Sequence, residues 1–230
     1  MSSTSTAVSA EHFAYLAAHT RPEDEFLQSL KAAARARGIP EIWISPEQAN
    51  LMQILLKSAG ARRVLEVGTL AGCSAIAMAR ALPARTHGGW LQTIELDPAR
   101  AAFAREWVAR SDVADRIEVL EGDAREILER LAPATYDAAF LDADKQGYGH
   151  YLERCQLLVR PGGLILVDNA FAFGQILDRR AKDPEVAAVR AFNDRMASTH
   201  GLHGVIVPIG DGLWVAVVER PGADSLPYRR

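Results

Sequence analysis

Val64-Leu65-Glu66-Val67-Gly68-Thr69-Leu70-Ala71-Gly72-Cys73-Ser74 is the stretch that decides the fold. It begins as a short apolar run with one acid, breaks at two glycines, and continues into Cys73–Leu82 with small and apolar residues at helical spacing. A strand, a glycine-bearing turn and a helix start form a βα unit. The glycines let the backbone approach a ligand closely, and the free N–H groups of the helix start attract anionic groups. The turn lacks the dinucleotide fingerprint, because GxGxxG needs a glycine where Leu70 stands. That departure argues against a nicotinamide- or flavin-dependent oxidoreductase. Glu66 adds a carboxylate just before the turn. A diphosphate gains nothing from negative charge there, whereas an amine-bearing ligand does.

Outward from this unit, short β-rich runs alternate with helical ones. Strands are expected at Arg63–Val67, Leu91–Leu96, Ile117–Leu120, Asp137–Leu141 and Leu164–Val167. Helices are expected between them, at about Cys73–Leu82, Pro98–Ala109, Arg125–Leu131 and Tyr148–Val159. Such alternation predicts a parallel sheet with helices on both faces. After a helix near Val186–Ser198, the runs Gly204–Ile209 and Leu213–Val218 are separated only by Gly210-Asp211-Gly212. A gap that short permits a hairpin and forbids a parallel crossover, so the last strand is reversed. The expected fold is therefore α/β: a doubly wound, Rossmann-like sheet of about seven strands, mostly parallel with an antiparallel last strand.

The N-terminal part reads differently. Residues 1–10 are Ser/Thr/Ala-rich and expected to fray. Residues 11–58 are helical in pattern, with Gly38-Ile39-Pro40 as a break and Ser45-Pro46 as an N-cap with proline at the first helical position. This region is longer than a cofactor-binding core at 62–220 requires, and is expected to cover the site or to form a dimer interface. No linker divides the chain, so residues 1–230 read as one domain.

Composition sets the outer bounds. Hydrophobic residues make up 49% and charged residues 24%, which excludes a wholly disordered chain. The formal net charge of −3 gives no basic field for nucleic acid or an anionic membrane. No apolar run approaches the roughly 20 residues that span a bilayer. MSSTSTAVSAEHF lacks the basic and apolar regions of a signal peptide. Cys73 and Cys155 form no CxxC pair, so neither a disulfide framework nor a thiolate zinc site is indicated. The expectation is a cytoplasmic protein acting on a small molecule, without nucleic-acid or membrane partners.

Acids recur where the strands end. Thr93-Ile94-Glu95-Leu96-Asp97-Pro98 puts Glu95 at the tip of the second strand, where a carboxylate accepts ribose hydroxyls, while Asp97 before Pro98 suits an N-cap. Leu120-Glu121-Gly122-Asp123-Ala124 offers Asp123 to an adenine amino group. In this order the segments LEVGTLAGCS, TIELD and EGDA resemble the motifs of class I S-adenosylmethionine-dependent methyltransferases. The resemblance implies that Gly68, Thr69, Gly72 and Ser74 hold the methionine end of that cofactor, with Glu66 near its amine. It also implies that Glu95 holds the ribose, and that Asp123 and Ala124 border the adenine.

Two further strand ends carry more acid: Phe140-Leu141-Asp142-Ala143-Asp144-Lys145 and Leu166-Val167-Asp168-Asn169. Crowded carboxylates repel unless a cation joins them. Asp142, Asp168 and Asn169 offer only oxygen donors, which suits a hard cation such as Mg²⁺, or Ca²⁺ or Mn²⁺, rather than zinc or copper. The alternative is that these residues merely cap the following helices.

Joined to the cofactor motifs, LDADKQGY and the later Asp168-Asn169 resemble the metal-dependent O-methyltransferases of the caffeoyl-CoA and catechol type. The likeness runs from Ser45–Leu56 to Pro208-Ile209-Gly210-Asp211-Gly212 and includes Arg160-Pro161-Gly162-Gly163, the turn before strand five. It implies a homodimer in which Asp142, Asp168 and Asn169 bind the metal and Lys145 is the general base. It further implies that Asp144 lies on the cofactor side and that the chain near Ile44 closes over the methionine portion. A dication stabilises a phenolate and lowers the phenol's pKa, and an in-line sulfonium methyl needs just such a nucleophile. Lys145 instead remaining charged and paired with Asp142 or Asp144 is the other reading. Presence of Asp142, Lys145, Asp168 and Asn169 together argues against a non-catalytic cofactor-binding scaffold.

Substrate choice falls to the less typical segments. Members of the resembling family often carry Trp-Gly early in the loop after the metal residues, where this chain has Phe171 and Phe173. Trp43 and Trp214 are candidate pocket aromatics that equally suit the core. Arg179 and Arg180 are candidate contacts for a coenzyme A phosphate, or simply solvated.

Overall fold

The structure, a computed structural model, describes residues 8–219. Residues 1–7 of the stretch expected to fray, and residue 220 at the expected end of the core, lie outside them. Seven strands form one sheet: β1 (Arg63–Val67), β2 (Trp90–Glu95), β3 (Ile117–Glu121), β4 (Tyr136–Leu141), β5 (Val159–Val167), β6 (Leu202–Val207) and β7 (Leu213–Val218). Their order is β3-β2-β1-β4-β5-β7-β6. β1 pairs in parallel with β2 and β4, β2 with β3, and β4 with β5; β7 is antiparallel to both β5 and β6. One strand is reversed, as the three-residue gap requires. The sheet changes direction of winding between β1 and β4, which opens a crevice at the strands' carboxyl ends.

Among the described residues the eight α-helices are α1 (Ala10–His19), α2 (Glu25–Ala36), α3 (Pro46–Ser58), α4 (Cys73–Ala79), α5 (Pro98–Ala109), α6 (Ala124–Arg130), α7 (Tyr148–Leu158) and α8 (Pro184–Ser198). Central strands are buried along nearly their whole length because both faces are covered. One core joins α2–α5 to one face through Leu30, Met52, Leu56, Ile76, Trp107 and Phe140. The other joins α7, α8 and part of α6 to the opposite face through Leu128, Tyr148, Leu152, Phe192 and Trp214. α1 stands apart, with no buried residue and with Phe13, Tyr15 and Leu16 exposed. Among the described residues no helix is long and apolar enough to cross a membrane.

Element ends follow local chemistry. Asp24, Ser45, Asp97, Asp123 and Asp183 each cap a helix by accepting backbone N–H groups, and proline follows directly at positions 46, 98 and 184. Most boundaries fall within one or two residues of the sequence reading, and three places differ for a clear local reason. α4 stops at Ala79 rather than Leu82, where Ala81 and Leu82 form a tight turn by donating to Met78 and Ala79 carbonyls. β6 lies at 202–207 rather than 204–209, because Pro208 has no N–H to continue the ladder. Arg160-Pro161-Gly162-Gly163 is not a turn ahead of β5 but a bulge inside it. Val159 already pairs with Tyr136, and pairing resumes at Leu164 with Ala138. A Cβ on Gly163 would lie 2.6 Å from the Asp137 carbonyl oxygen, so the bulge depends on that glycine.

Candidate functional site

A cavity of about 410 Å³ opens at the carboxyl ends of the strands. Its wall runs from the β1–α4 turn past the tips of β2, β3 and β4 to Asn169 and Phe173, and is closed by Ile42, Trp43 and Ile44 between α2 and α3.

The end nearest β1–β3 is shaped mainly by backbone. Gly68 has φ +100 and sits so close to β4 that a Cβ there would lie 1.9 Å from the Asp142 carbonyl oxygen. Leu70 takes a left-handed φ of 51 and donates its N–H to Glu95 Oε2 at 2.8 Å; Asp97 N–H donates to Glu95 Oε1 at 3.0 Å. Glu95 is thus fixed with acceptor capacity left on both oxygens. Thr69 and Thr93 share a hydroxyl–hydroxyl contact of 2.5 Å beneath the turn. Glu66 is wholly buried below the floor, and neither oxygen has a well-formed hydrogen bond among the described residues. Burial pushes its carboxyl up to about 8, an effect that the nearby Ser74 and Thr93 hydroxyls partly offset. Burial thus favours the neutral form of the Glu66 carboxyl. Asp123 caps α6, its Oδ1 accepting Arg125 N–H at 2.8 Å, and still borders the cavity. Asp144 is held by Arg125 (Nη2 to Oδ2, 2.9 Å) and by Tyr151, whose hydroxyl donates to Oδ1 at 2.5 Å.

The end between β4 and β5 is shaped by side chains. Lys145 is buried, and its ammonium donates to Asn169 Oδ1 at 2.6 Å, to the Tyr148 hydroxyl at 2.7 Å and to Asp142 Oδ1 at 3.3 Å. Three acceptors match the three protons of an ammonium. Tyr148 in turn donates to the Asp168 carbonyl at 3.3 Å. Asp168 sits just behind, its Oδ1 accepting Gln48 Nε2 at 2.7 Å. Burial raises the carboxyl pKa of Asp142 and of Asp168, and the Asp142 charge adds to the effect at Asp168. Among the described residues no three His, Cys, Asp or Glu side chains group as metal ligands; the candidate set here is two carboxylates and an amide. Its donors are all oxygens, and a cationic group already bridges two of them, so the residues fit a hard divalent cation.

Of the sequence-predicted residues, Ile44, Gly68, Thr69, Ser74, Glu95, Asp123, Ala124, Asp142, Asp144, Lys145 and Asn169 meet around this cavity. Glu66, Gly72 and Asp168 stand behind its wall; Gly72 serves the turn, with φ +90 as the cap of α4. Trp43 reaches the wall, whereas Trp214 is core, its Nε1 donating to Asn193 Oδ1 at 2.7 Å. Phe173 lines the mouth, but Phe171 packs against Gly212. Arg179 and Arg180 are exposed and line no part of the cavity. Cys73 and Cys155 are buried, their thiols pushed up to about 12 by burial, and neither is poised to react. Gln48, Arg125 and Tyr151 were not singled out from the sequence. Gln48 had a signal: it shares a buried stripe of α3 with Met52 and Leu56, where a polar residue needs a partner.

Residues 17–218 match the sequence model of a family described as O-methyltransferase. The chain belongs to that family. This O-methyltransferase is 35% identical over 205 residues to a catechol O-methyltransferase of Niastella koreensis, covering 86% of this chain and 91% of the relative. An O-methyltransferase of Bacillus cereus solved in complex with SAH superposes with a TM-score of 0.81 and 32% identity, over 90% of this chain and 96% of the other. TomG of Streptomyces achromogenes, an O-methyltransferase of tomaymycin synthesis solved with SAM, gives 0.80 and 32%, over 91% and 96%. The O-methyltransferase assignment sets aside the oxidoreductase reading that the missing glycine at position 70 already disfavoured.

Proposed function

We propose that this O-methyltransferase moves the methyl group of S-adenosylmethionine to one hydroxyl of a catechol-like phenol, free or thioester-linked to coenzyme A. In this reading Asp142, Asp168 and Asn169 hold a divalent metal, with Mg²⁺ the first choice, and Lys145 is the general base. The observation that carries it is the contact of one buried ammonium with Asp142 Oδ1 from the β4 tip and Asn169 Oδ1 after β5. Relatives bearing SAH or SAM at 32% identity support the methyl donor, and a catechol O-methyltransferase at 35% identity supports the acceptor. Glu95 accepts the ribose hydroxyls, Asp123 and Ala124 border the adenine, and Asp144 lies on the cofactor side. Ile42, Trp43 and Phe173 hold the acceptor's ring and exclude water at the mouth. A bound dication supplies the charge that lowers the pKa of a phenol. Lys145, once it has released a proton, accepts the phenol's proton at Nζ. A homodimer belongs to the same proposal, with the exposed apolar side of α1 available to a second copy.

A specific observation favours a second role for Lys145: its three acceptors suit a permanently charged ammonium that anchors Asp142 and Asn169. The two roles part on pH. For a base, the rate deficit of Lys145→Ala shrinks as pH rises toward the phenol's own pKa; for an anchor, the deficit is flat. The proposal as a whole is tested by methyl transfer from S-adenosylmethionine to catechol, caffeic acid and caffeoyl-CoA, each with Mg²⁺ and with excess chelator. Undiminished turnover in chelator removes the metal, and no turnover on any of the three removes the acceptor class.

A further inference from the structure

The turn between β6 and β7 carries a carboxylate that the proposed chemistry leaves unused. Asp211 Oδ2 accepts the Phe173 N–H at 2.7 Å and Asn169 Nδ2 at 3.2 Å, and Oδ1 accepts the Gly174 N–H at 3.1 Å. Main-chain bonds join the same two segments, from Phe171 N–H to the Asp211 carbonyl and from Ala170 N–H to the Gly212 carbonyl, both 2.9 Å. The segment so held is conformationally unusual. Asn169, Ala172 and Phe173 have φ of 63, 51 and 55 without being glycine, and Gly174 follows at 77. In this turn the adjacent Phe173 and Gly174 N–H groups converge on one point, as in an anion-binding concavity. Here that anion is the Asp211 carboxylate.

We propose that Asp211 is a positioning residue: by holding the Asn169 amide and the Phe173–Gly174 backbone, it turns Asn169 Oδ1 onto Lys145 and Phe173 onto the cavity mouth. The proposal rests on the reading of this cavity as the site of phenol methylation. An amide has one accepting and one donating end of nearly equal size, so an unheld Asn169 flips at little steric cost. Flipped, it presents N–H₂ to the Lys145 ammonium and loses its oxygen donor. Asp211 forbids the flip by accepting from Nδ2. The turn itself is closely seated: a Cβ on Gly210 would lie 2.3 Å from Gln48 Oε1, and one on Gly212 would lie 2.9 Å from the Phe171 ring. Asp211 variants therefore keep the turn and lose only the clamp.

Asp211→Asn preserves size but removes the charge and one acceptor. With the full-length protein, amide hydrogen exchange at Phe173 and Gly174 is expected to rise about 10-fold or more. Catechol affinity for the SAH-loaded, Mg²⁺-supplemented protein, read by calorimetry, is expected to fall by about 10-fold. SAH affinity is expected to stay within about twofold, since Asp211 touches no part of the cofactor end. In turnover, KM for catechol rises more than kcat falls. Unchanged exchange at residues 173 and 174 overturns the proposal, as does exchange that rises while catechol affinity holds. A matching loss of SAH affinity also overturns it, because that is the mark of a general structural defect. Asp211→Ala run in parallel gives the same ordering with larger effects. If wild-type protein binds SAH but methylates no phenol, the functional reading fails by itself, while amide exchange at Phe173 and Gly174 in the two variants still decides whether Asp211 holds that segment.

Discussion

The two ends of the cavity are built by different means. Around β1–β3 the ligand surface is mostly main chain: glycine-dependent turns, helix caps, and one carboxylate, Glu95, fixed by two backbone N–H groups. Around β4 and β5 it is a relay of side chains drawn from remote parts of the sequence, Gln48 to Asp168, Tyr148 and Asn169 to Lys145, and Asp211 to Asn169. Backbone shapes are set by local geometry and tolerate side-chain change. A relay loses function when any member is removed. Substitutions at the first end are therefore expected to act on folding and cofactor affinity, and those at the second on turnover.

The largest effect that sharpens this contrast is expected at Lys145. A general base contributes about 10²–10⁴-fold, so in the proposed role of Lys145 the Lys145→Ala change is expected to cut kcat by that order near neutral pH while SAH affinity stays nearly constant. Stopped assays from pH 6 to 10 check this, and equal loss of SAH binding breaks the contrast. In the proposed metal role, Asp142→Ala and Asp168→Ala are expected to lower turnover at least about 100-fold, since loss of a direct ligand costs no less than the 10–100-fold that follows loss of an outer partner. Calorimetry with Mg²⁺ and with SAH separates the two ends.

Gly68→Ala is the deliberate exception. Its Cβ would collide with the Asp142 carbonyl and adopt a φ that L-residues avoid. A loss of about 3 kcal/mol or more is expected in urea unfolding, with both ends damaged together. The smallest effect concerns Glu66. Its folded pKa of about 8 lies above the ordinary 4.5, so its contribution to stability is fully present below pH 4.5 and is lost as pH rises to 8. Cofactor-free Glu66→Gln is expected to melt several degrees above wild type at pH 8, because each kcal/mol moves Tm by about 2–4 °C in a chain this size. The gap closes toward pH 5. A gap independent of pH would mean that Glu66 is ionised in the fold.

How much the sequence disclosed follows the same division. The strand tips were legible because each acid directly follows an apolar run, and Asp97-Pro98 announced its cap. Glu95, Asp142, Lys145 and Asn169 accordingly meet in one cavity. The bulge in β5 was not legible, since Pro161-Gly162-Gly163 is equally good chemistry for a plain turn; only pairing of Val159 with Tyr136 distinguishes them. Trp43 and Trp214 have similar local surroundings in sequence, yet one reaches the cavity and the other bonds to Asn193 in the core. Gln48 lies 120 residues from its partner Asp168. Asp211 looked like a turn residue between two glycines, and nothing near it pointed to the loop it holds.

The absence of a side chain at position 68 has a wider consequence. Because the first strand's turn rests directly on the Asp142 carbonyl, the gap between the two ends of the cavity is set like the jaws of a caliper, by peptide planes alone. In the proposed reading, replacement of Ile42 or Phe173 at the mouth changes which acceptor enters without altering that gap, so acceptor choice and reaction are separable.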